Sequence, residues 1–327
     1  MRMRNRLLAA LAAACSLIAG PAPAQDWPTR PVTMVVPFAA GGPIDFVARI
    51  IGPRLSEVLG QQVIVENTGG AGGMSGGNRV AKSPPDGSMF LFGNQATHTF
   101  GQLLYKKPLY NAETDFSPVG LVLANVKVLV TRKDLPANNL QEFIAYSKAN
   151  QATMHYGSAG TGSATHMTCV QLDIAMGTSI THVPYRGTAP ALQDLVAGRI
   201  DFVCDVISTA RPHILSGAVK PLAILSNNRS AVAPDVPTAL EQGLADVDGD
   251  GWNAFFFPKG TPEPIVRRLT SALNDVLETP SIRERMTANG LTLPDRDSRG
   301  PEPLTRLVTS DLKKWAPPVK ASGVSID

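Results

Sequence analysis

Two glycine-containing turns in this sequence carry the groups that could hold an anion. The first turn, Phe38 to Asp45, follows an apolar strand pattern at Val32 to Val36 and precedes apolar residues at helical spacing. Backbone N–H groups at the start of a helix have no partner within it and lie at the positive end of its dipole. The turn is therefore either an anion-binding loop or an ordinary connection between a strand and a helix.

The second turn repeats this arrangement and adds hydroxyl groups. Ser158, Thr161 and Ser163 follow a predicted strand at 154–157, and His166 stands one turn into the next helix. Hydroxyl and imidazole groups can donate hydrogen bonds to a carboxylate, and such charge-assisted bonds are strong. His166 is equally well explained as a structural histidine that is hydrogen-bonded within the fold.

Further polar residues stand where predicted strands end. They are Asn94, Gln95, Thr97 and His98 after the strand at 89–94, Arg186 after the strand at 181–185, and Asp205 at the end of the strand at 200–205. Ligands of open α/β sheets bind beyond the carboxyl ends of the strands. The alternatives are a structural histidine for His98, and a surface ion pair or a helix cap for Arg186 and Asp205.

Motifs for catalysis and metal binding are weak or missing. Gly73 to Gly77 matches G-x-S-x-G around Ser75, but Asn67 to Gly72 separate this serine from the preceding strand, whereas a hydrolase elbow joins strand and helix directly. Ser163 and His166 stand three residues apart at a helix start, which is poor geometry for a catalytic triad. No metal-binding spacing of histidine or cysteine occurs, and no P-loop motif occurs. A secreted hydrolase using either serine remains an alternative.

Alternating strand and helix patterns predict an α/β protein with two similar halves. Each half has the strand–helix–strand order that is typical of a mostly parallel sheet flanked by helices. Further strands are predicted at 62–67, 119–123, 126–131, 220–225 and 251–257, and helices at 140–149, 190–197, 264–278, 281–290 and 301–315. Two sheet domains that face one another would form a cleft lined by both glycine turns.

The first 24 residues have the pattern of a secretory signal peptide. Three arginines precede an apolar run at 7–19 that is too short to span a bilayer, and Ala22-Pro23-Ala24 is a small-residue cleavage site. Cleavage after Ala24 removes those three arginines and leaves 27 basic and 27 acidic residues. This balance gives no reason to expect nucleic acid or an anionic membrane surface as a partner.

Two cysteines, Cys169 and Cys204, remain after this cleavage. Export to an oxidising compartment permits a disulfide between them. Two separate buried thiols are the other possibility, because spacing in the sequence does not show whether their Cα atoms approach closely enough.

A series of motifs over the whole mature chain resembles one family, the Bug-type extracytoplasmic solute receptors of tripartite tricarboxylate transporters. The motifs, in order, are PFAAGGPID (37–45), VENTGGAGGMSGG (65–77), KPLYNAETDFSPV (107–119), YGSAGTGSATH (156–166), VPYRGTAPALQDLVAGRIDF (183–202) and FPKGTP (257–262). No one of these motifs is specific by itself, and the resemblance rests on the series.

The resemblance implies a two-domain Venus-flytrap receptor that holds a small carboxylate between the two glycine turns, without catalysis, cofactor or metal. It implies a periplasmic monomer with membrane transporter subunits as partners. The implied domains are 25–127 with 252–327, and 128–251. The implied ligand-binding residues are Phe38, Ala39, Ala40, Gly41, Gly42, Ile44 and Asp45 of the first turn, Ser158, Thr161, Gly162, Ser163 and His166 of the second, and Asn94, Thr97, His98, Arg186 and Asp205 for the distal end of the ligand.

One residue departs from the family pattern. Ile44 stands where family members commonly have a small or hydroxylated residue, and isoleucine offers apolar bulk in place of a hydrogen bond. This difference favours an apolar or aromatic acid over citrate. A sensor subunit for a membrane kinase would need the same cleft and closure, so the sequence does not separate that function from transport.

Overall fold

The computed structural model describes residues 27–245, 247 and 249–327 of the chain. The predicted signal peptide, residues 1–24 with cleavage after Ala24, lies outside the described residues. Within the described part, no helix has the length and apolar character needed to cross a membrane.

The first domain is built on a six-stranded sheet in the order β11-β4-β10-β3-β1-β2. Its strands are β1 (Val32–Val36), β2 (Val63–Asn67), β3 (Met89–Asn94), β4 (Phe116–Asn125), β10 (Gly251–Pro258) and β11 (Leu291–Thr292). Strands β1, β2 and β3 are parallel, while β10 runs antiparallel between β3 and β4. Because β10 is buried along its whole length, its sequence is an apolar run that only Asn253 interrupts.

The second domain contains a five-stranded sheet in the order β7-β6-β8-β5-β9. Its strands are β5 (Lys127–Arg132), β6 (His155–Ser158), β7 (Thr181–Pro184), β8 (Phe202–Val206) and β9 (Val219–Ile224). Only β5 runs against the others in this described sheet. The prediction of an α/β protein with two mostly parallel sheets is therefore confirmed.

Helices cover both sheets. They are α1 (Pro43–Leu59), α2 (Met74–Ala81), α3 (Gly101–Leu104), α4 (Leu140–Asn150), α5 (Ala164–Met176), α6 (Thr188–Val196), α7 (Ile207–Leu215), α8 (Glu263–Glu278), α9 (Pro280–Thr287) and α10 (Pro301–Ser322). A π-helical segment, Ala96–Phe100, joins β3 to α3. The side chain of Asn139 caps α4 by accepting a hydrogen bond from the Glu142 N–H at 2.8 Å, as one of two candidate asparagines was expected to do.

The chain crosses between the two sheets at two places. The first crossing is Val126, between β4 and β5, and the second lies between β9 and β10. The side-chain amides of Asn125 and Asn253 meet at 2.9 Å beside these crossings. The domain limits at 127/128 and 251/252 stay predictions, and the two crossings lie next to them.

Two details differ from, or add to, the sequence interpretation. Ser75 lies in the first turn of α2, not late in a flexible loop, because the glycine-rich stretch folds into a 3₁₀ turn at Ala71–Gly73 that leads directly into that helix. Cys169 and Cys204 form a disulfide with their Cα atoms 5.6 Å apart. It ties α5 to β8 inside the core of the second domain.

Candidate functional site

A cavity lies between the two domains. The first domain contributes Phe38, Gly42, Pro43, Ile44, Asn94, Gln95, Gly251, Trp252 and Asn253, the crossing segment contributes Asn125 and Lys127, and the second domain contributes Ala159, Ser163, Ala164, Thr165, Thr188 and Val206. Five of the predicted ligand-binding residues are among these, namely Phe38, Gly42, Ile44, Asn94 and Ser163.

The first glycine turn is held in shape by its own acid. Asp45 is buried, and its Oδ2 accepts hydrogen bonds from the Gly41 N–H at 2.8 Å and from Arg49 Nε at 2.9 Å. Burial opposes ionisation, but the Arg49 and Gly41 hydrogen bonds outweigh it and lower the pKa of Asp45. Gly41 has φ of +81°, a conformation that favours glycine. Asp45 therefore shapes the turn from behind and does not line the cavity.

The second glycine turn delivers the N-terminus of α5 to the cavity. Ser163 caps this helix, and its Oγ accepts the His166 N–H at 3.2 Å. Thr165 Oγ1 accepts the Ala159 N–H at 2.9 Å, which fixes the approach of β6 to the helix. The first-turn N–H groups of Ala164 and Thr165 have no acceptor within the helix. Both residues line the cavity, at the positive end of the helix dipole.

A third helix start, that of α6, brings Thr188 to the cavity with Asp205 behind it. Thr188 Oγ1 is buried and makes no hydrogen bond of normal geometry within the described chain, but it lies close enough to the Asp205 carboxyl group to stabilise its ionised form. Asp205 is fully buried, accepts a hydrogen bond from Thr209 Oγ1 at 2.6 Å and does not line the cavity. Burial raises the pKa of Asp205 to about 6, and the nearby Thr209, Thr188 and Lys127 side chains limit the rise.

Sequence reasoning missed the residues at the crossing between the domains. Lys127 is buried, and its Nζ donates to the Gly249 carbonyl oxygen at 2.5 Å. Among the lining residues that the structure describes, it is the one with a formal charge. A lysine inside the apolar run Val126 to Val130, and an asparagine inside the apolar run at 251–257, were the available signals. Both are unusual in strands that are otherwise buried.

Two predicted distal residues, Thr97 and His98, point into the core of the first domain. Thr97 Oγ1 donates to the Asn94 carbonyl oxygen at 2.8 Å. The His98 ring stacks on Phe256 with centroids 3.6 Å apart, and its Nδ1 lies 2.9 Å from Thr97 Oγ1. Neither lines the cavity: the His98 ring lies against Phe256 of β10, and the Thr97 side chain lies between Gly93 of β3 and Gly73.

A second group of predicted residues forms a cluster behind the α5 turn. His166 Nδ1 accepts the Gly162 N–H at 3.1 Å, and its ring stacks on His182 with centroids 4.0 Å apart. Ser158 Oγ pairs with His182 Nε2 at 2.7 Å. Ser158, Gly162 and His166 therefore fix the turn from behind and do not line the cavity. Thr161 lies on the outer side of the turn, in a crevice open to solvent.

Two buried imidazoles and the half-buried imidazole of His182 make the stability of the fold depend on pH. Burial lowers the pKa of His98 and His166 to about 3 and that of His182 to about 4, from an ordinary 6.5. Between pH 6.5 and the lowered pKa values, the unfolded chain binds protons that the folded chain does not. The stability that the neutral imidazoles contribute is therefore present above pH 6.5 and is lost as the pH falls. We expect about 2 kcal/mol less stability per histidine at pH 5 than at pH 7. Asp205 partly offsets this loss, since its raised pKa acts in the opposite direction.

Replacing His166 with asparagine isolates one of these contributions. Asparagine Oδ1 can take the place of Nδ1 and accept the Gly162 N–H. Urea unfolding gives the free energy of unfolding at pH 7 and at pH 5. The decrease between the two should be about 2 kcal/mol smaller in His166→Asn than in the unchanged protein. An equal loss in both proteins would show that His166 is not responsible.

The two domains touch directly at the rim of the cavity. The Ala39 N–H donates to the Arg186 carbonyl oxygen at 3.0 Å, so Arg186 contributes its backbone here, while its side chain is exposed. Ala39 does not line the cavity, and Ala40 and Gly41 are exposed on the outer side of the turn. A Cβ on Gly187 would lie 3.0 Å from Ala39 Cβ. The cleft is therefore closed around the cavity.

The site geometry gives little support to hydrolysis or metal chemistry. Ser163 Oγ is engaged as a helix cap, and His166 faces the Gly162 N–H, so the two do not form a nucleophile–base pair. Across the described ranges, no group of three or more His, Cys, Asp or Glu side chains could hold a metal ion.

Comparison with known proteins gives a consistent result. A family model described as the tripartite tricarboxylate transporter family receptor matches residues 47–324. MatC of Rhodopseudomonas palustris, solved with bound malate, is 39% identical with a TM-score of 0.87, over 90% of this chain and 100% of that chain. The periplasmic binding protein BugD is 38% identical with a TM-score of 0.88, over 91% and 99%.

A further R. palustris protein, solved with adipate, is 32% identical with a TM-score of 0.87, over 91% of this chain and 99% of that chain. These proteins share the two-domain α/β fold described above, which confirms the predicted periplasmic-binding-protein architecture. The family model covers most of the chain, and the matched structures are covered almost completely. The chain therefore belongs to the receptor family of the tripartite tricarboxylate transporters.

Proposed function

We propose that this chain is a periplasmic receptor that captures a small carboxylate in the interdomain cavity and delivers it to the membrane subunits of a tripartite tricarboxylate-type transporter. The family assignment and the malate and adipate bound to two similar receptors support this function. We infer further that it acts as a monomer, without catalysis, after export and cleavage behind Ala24.

The observation that carries the proposal is the pairing of the α5 N-terminus with Lys127 across one cavity. The Ala164 and Thr165 N–H groups offer donors at a helix start, and Lys127 adds a positive charge. Both features favour an anion over a neutral ligand. The described lining contains no acidic side chain that would oppose it.

The predicted site residues then fall into two roles. Phe38, Gly42, Ile44, Asn94 and Ser163 would contact the ligand, with Ile44 and Phe38 against its apolar body. The others would shape the turns or join the domains; they are Ala39, Ala40, Gly41, Asp45, Thr97, His98, Ser158, Thr161, Gly162, His166, Arg186 and Asp205. Lys127, Thr165 and Thr188 join the first group.

Replacing Gly42 with valine is expected to weaken carboxylate binding at least tenfold. A Cβ at Gly42 would meet its nearest neighbours at 3.5 and 3.7 Å, which are ordinary contacts, so the fold should tolerate it. The extra methyl groups of valine would enter the cavity. Titration calorimetry with Gly42→Ala as the control measures the effect, and unchanged affinity in a folded valine variant would contradict this placement.

Thermal unfolding of the mature protein against a panel of acids tests the proposed function. The panel holds mono-, di- and tricarboxylates, aliphatic and aromatic, with the methyl ester of each as a control. A ligand at 100 times its Kd should add about 2.7 kcal/mol of stability. Stabilisation by acids and not by esters supports the receptor, and a preference for aromatic acids would support the role of Ile44. No stabilisation by any acid, in protein refolded to remove carried-over ligand, would contradict it.

A further inference from the structure

A buried acid on the C-terminal helix holds two side chains of the cavity wall. Asp311 lies in α10, and its Oδ2 accepts hydrogen bonds from Gln95 Nε2 at 2.9 Å and from Trp252 Nε1 at 2.7 Å. All three residues are buried, and Gln95 and Trp252 line the cavity. Asp311 itself does not line the cavity, so any effect that it has on a ligand must pass through these two side chains.

This contact fixes which end of the Gln95 amide faces the ligand. A carboxylate only accepts hydrogen bonds, so the amide NH₂ must point at Asp311 and the carbonyl oxygen Oε1 must point away from it. Gln95 lines the cavity, and Oε1 accepts no hydrogen bond from the residues that the structure describes. A ligand or water in the cavity can therefore donate to it.

The groups around Gln95 Oε1 define what that donor can be. Asn125 Oδ1, Lys127 Nζ and Gln95 Oε1 lie 3.1, 3.2 and 3.7 Å from the position that a Cβ of Gly251 would take. The two acceptor oxygens disfavour a bare carboxylate at this point, and the charge of Lys127 disfavours an ammonium group. A hydroxyl group is compatible with the acceptor oxygens and with the lysine, because it can donate to one of the oxygens and accept from Lys127.

We propose that Asp311 is a positioning residue that holds the Gln95 carbonyl oxygen towards the cavity and thereby makes the receptor prefer hydroxylated acids over the same acids without the hydroxyl. This inference rests on the proposed carboxylate-binding function and adds the class of acid that is preferred. The acid group of the ligand binds at the helix starts, and its hydroxyl group binds beside Gly251.

Titration calorimetry with matched acid pairs tests the inference. The pairs are malate and succinate, 3-hydroxybutyrate and butyrate, and mandelate and phenylacetate. The unchanged receptor should bind the hydroxylated member of a pair about tenfold more tightly. Gln95→Met removes the acceptor, and Asp311→Ala frees the amide to rotate, so each should reduce the preference to about threefold or less. Asp311→Asn keeps an acceptor oxygen and should retain the preference.

A double variant separates positioning from general damage to the fold. If Asp311 acts through Gln95, Asp311→Ala should not change the preference further once Gln95→Met is present. The inference would be overturned if the acids bind without a hydroxyl preference, or if the preference survives in both single variants. Either result would leave the receptor function standing. Failure of every acid in the panel to bind would overturn the receptor function itself, and the inference with it.

Discussion

Replacing Gly72 with alanine is expected to weaken ligand binding roughly 5- to 150-fold, although Gly72 does not line the cavity. Gly72 belongs to the first domain, and a Cβ there would lie well inside contact distance of the Thr161 carbonyl oxygen and 3.1 Å from the Ser163 nitrogen in the second domain. Such an overlap costs about 1–3 kcal/mol, and it arises only in the closed form, where the two domains touch. A ligand that requires closure loses affinity by the same free energy.

Gly60→Ala is the matched control for this variant. Gly60 ends α1 with φ of +73°, close to the +62° of Gly72, and a Cβ there meets nothing within 4 Å. Both variants should therefore lose about 1 kcal/mol of stability from backbone strain, while Gly72→Ala alone should lose affinity. Calorimetry gives the affinities and small-angle scattering gives the degree of closure. Equal affinity in the two variants would show that this contact does not limit closure.

Removing the Cys169–Cys204 disulfide is expected to lower the free energy of unfolding by about 4 kcal/mol. The bond joins residues 35 positions apart, and a cross-link of that span restricts the unfolded chain by about this amount. Urea unfolding of the double variant Cys169→Ala with Cys204→Ala measures the loss. Both residues are fully buried in the core of the second domain, so the loss should be accompanied by earlier melting of that domain.

The unchanged protein in excess reductant is the control for the disulfide. Once the bond is reduced during unfolding, its stability should approach that of the double variant. If the double variant and the oxidised protein unfold at the same urea concentration, the disulfide does not stabilise the fold. The sequence left this bond undecided, because a separation of 35 residues does not reveal how α5 and β8 pack.

Local signals in the sequence predicted the elements that carry the cavity. The apolar run at Val32–Val36, the glycine turn and Pro43 at the first helical position predict β1 and α1, since each signal acts over a few residues. The hydroxyl-rich turn before α5 was predicted in the same way, and Ser163 caps that helix. These segments supply four of the five predicted residues that line the cavity, and the fifth, Asn94, ends β3.

Contacts between distant parts of the chain decided the rest of the site. Gln95 lines the cavity, and its amide donates a hydrogen bond to Asp311, 216 residues away. Asn125 and Asn253 meet across 128 residues, at the crossing between the domains. His98 follows the same polar turn as Asn94 but packs on Phe256 of β10, which sequence spacing does not reveal. Residue type indicated a polar role in each case, and the fold determined which side chains reach the cavity.

A crystal structure of the mature protein with the acid that stabilises it most would test the central claim most directly. We expect the carboxylate to lie within hydrogen-bond distance of the Ala164 and Thr165 N–H groups, with the cleft closed and the Ala39 N–H bonded to the Arg186 carbonyl oxygen. An acid bound outside the interdomain cavity, or bound there with no contact to the start of α5, would contradict the proposed site.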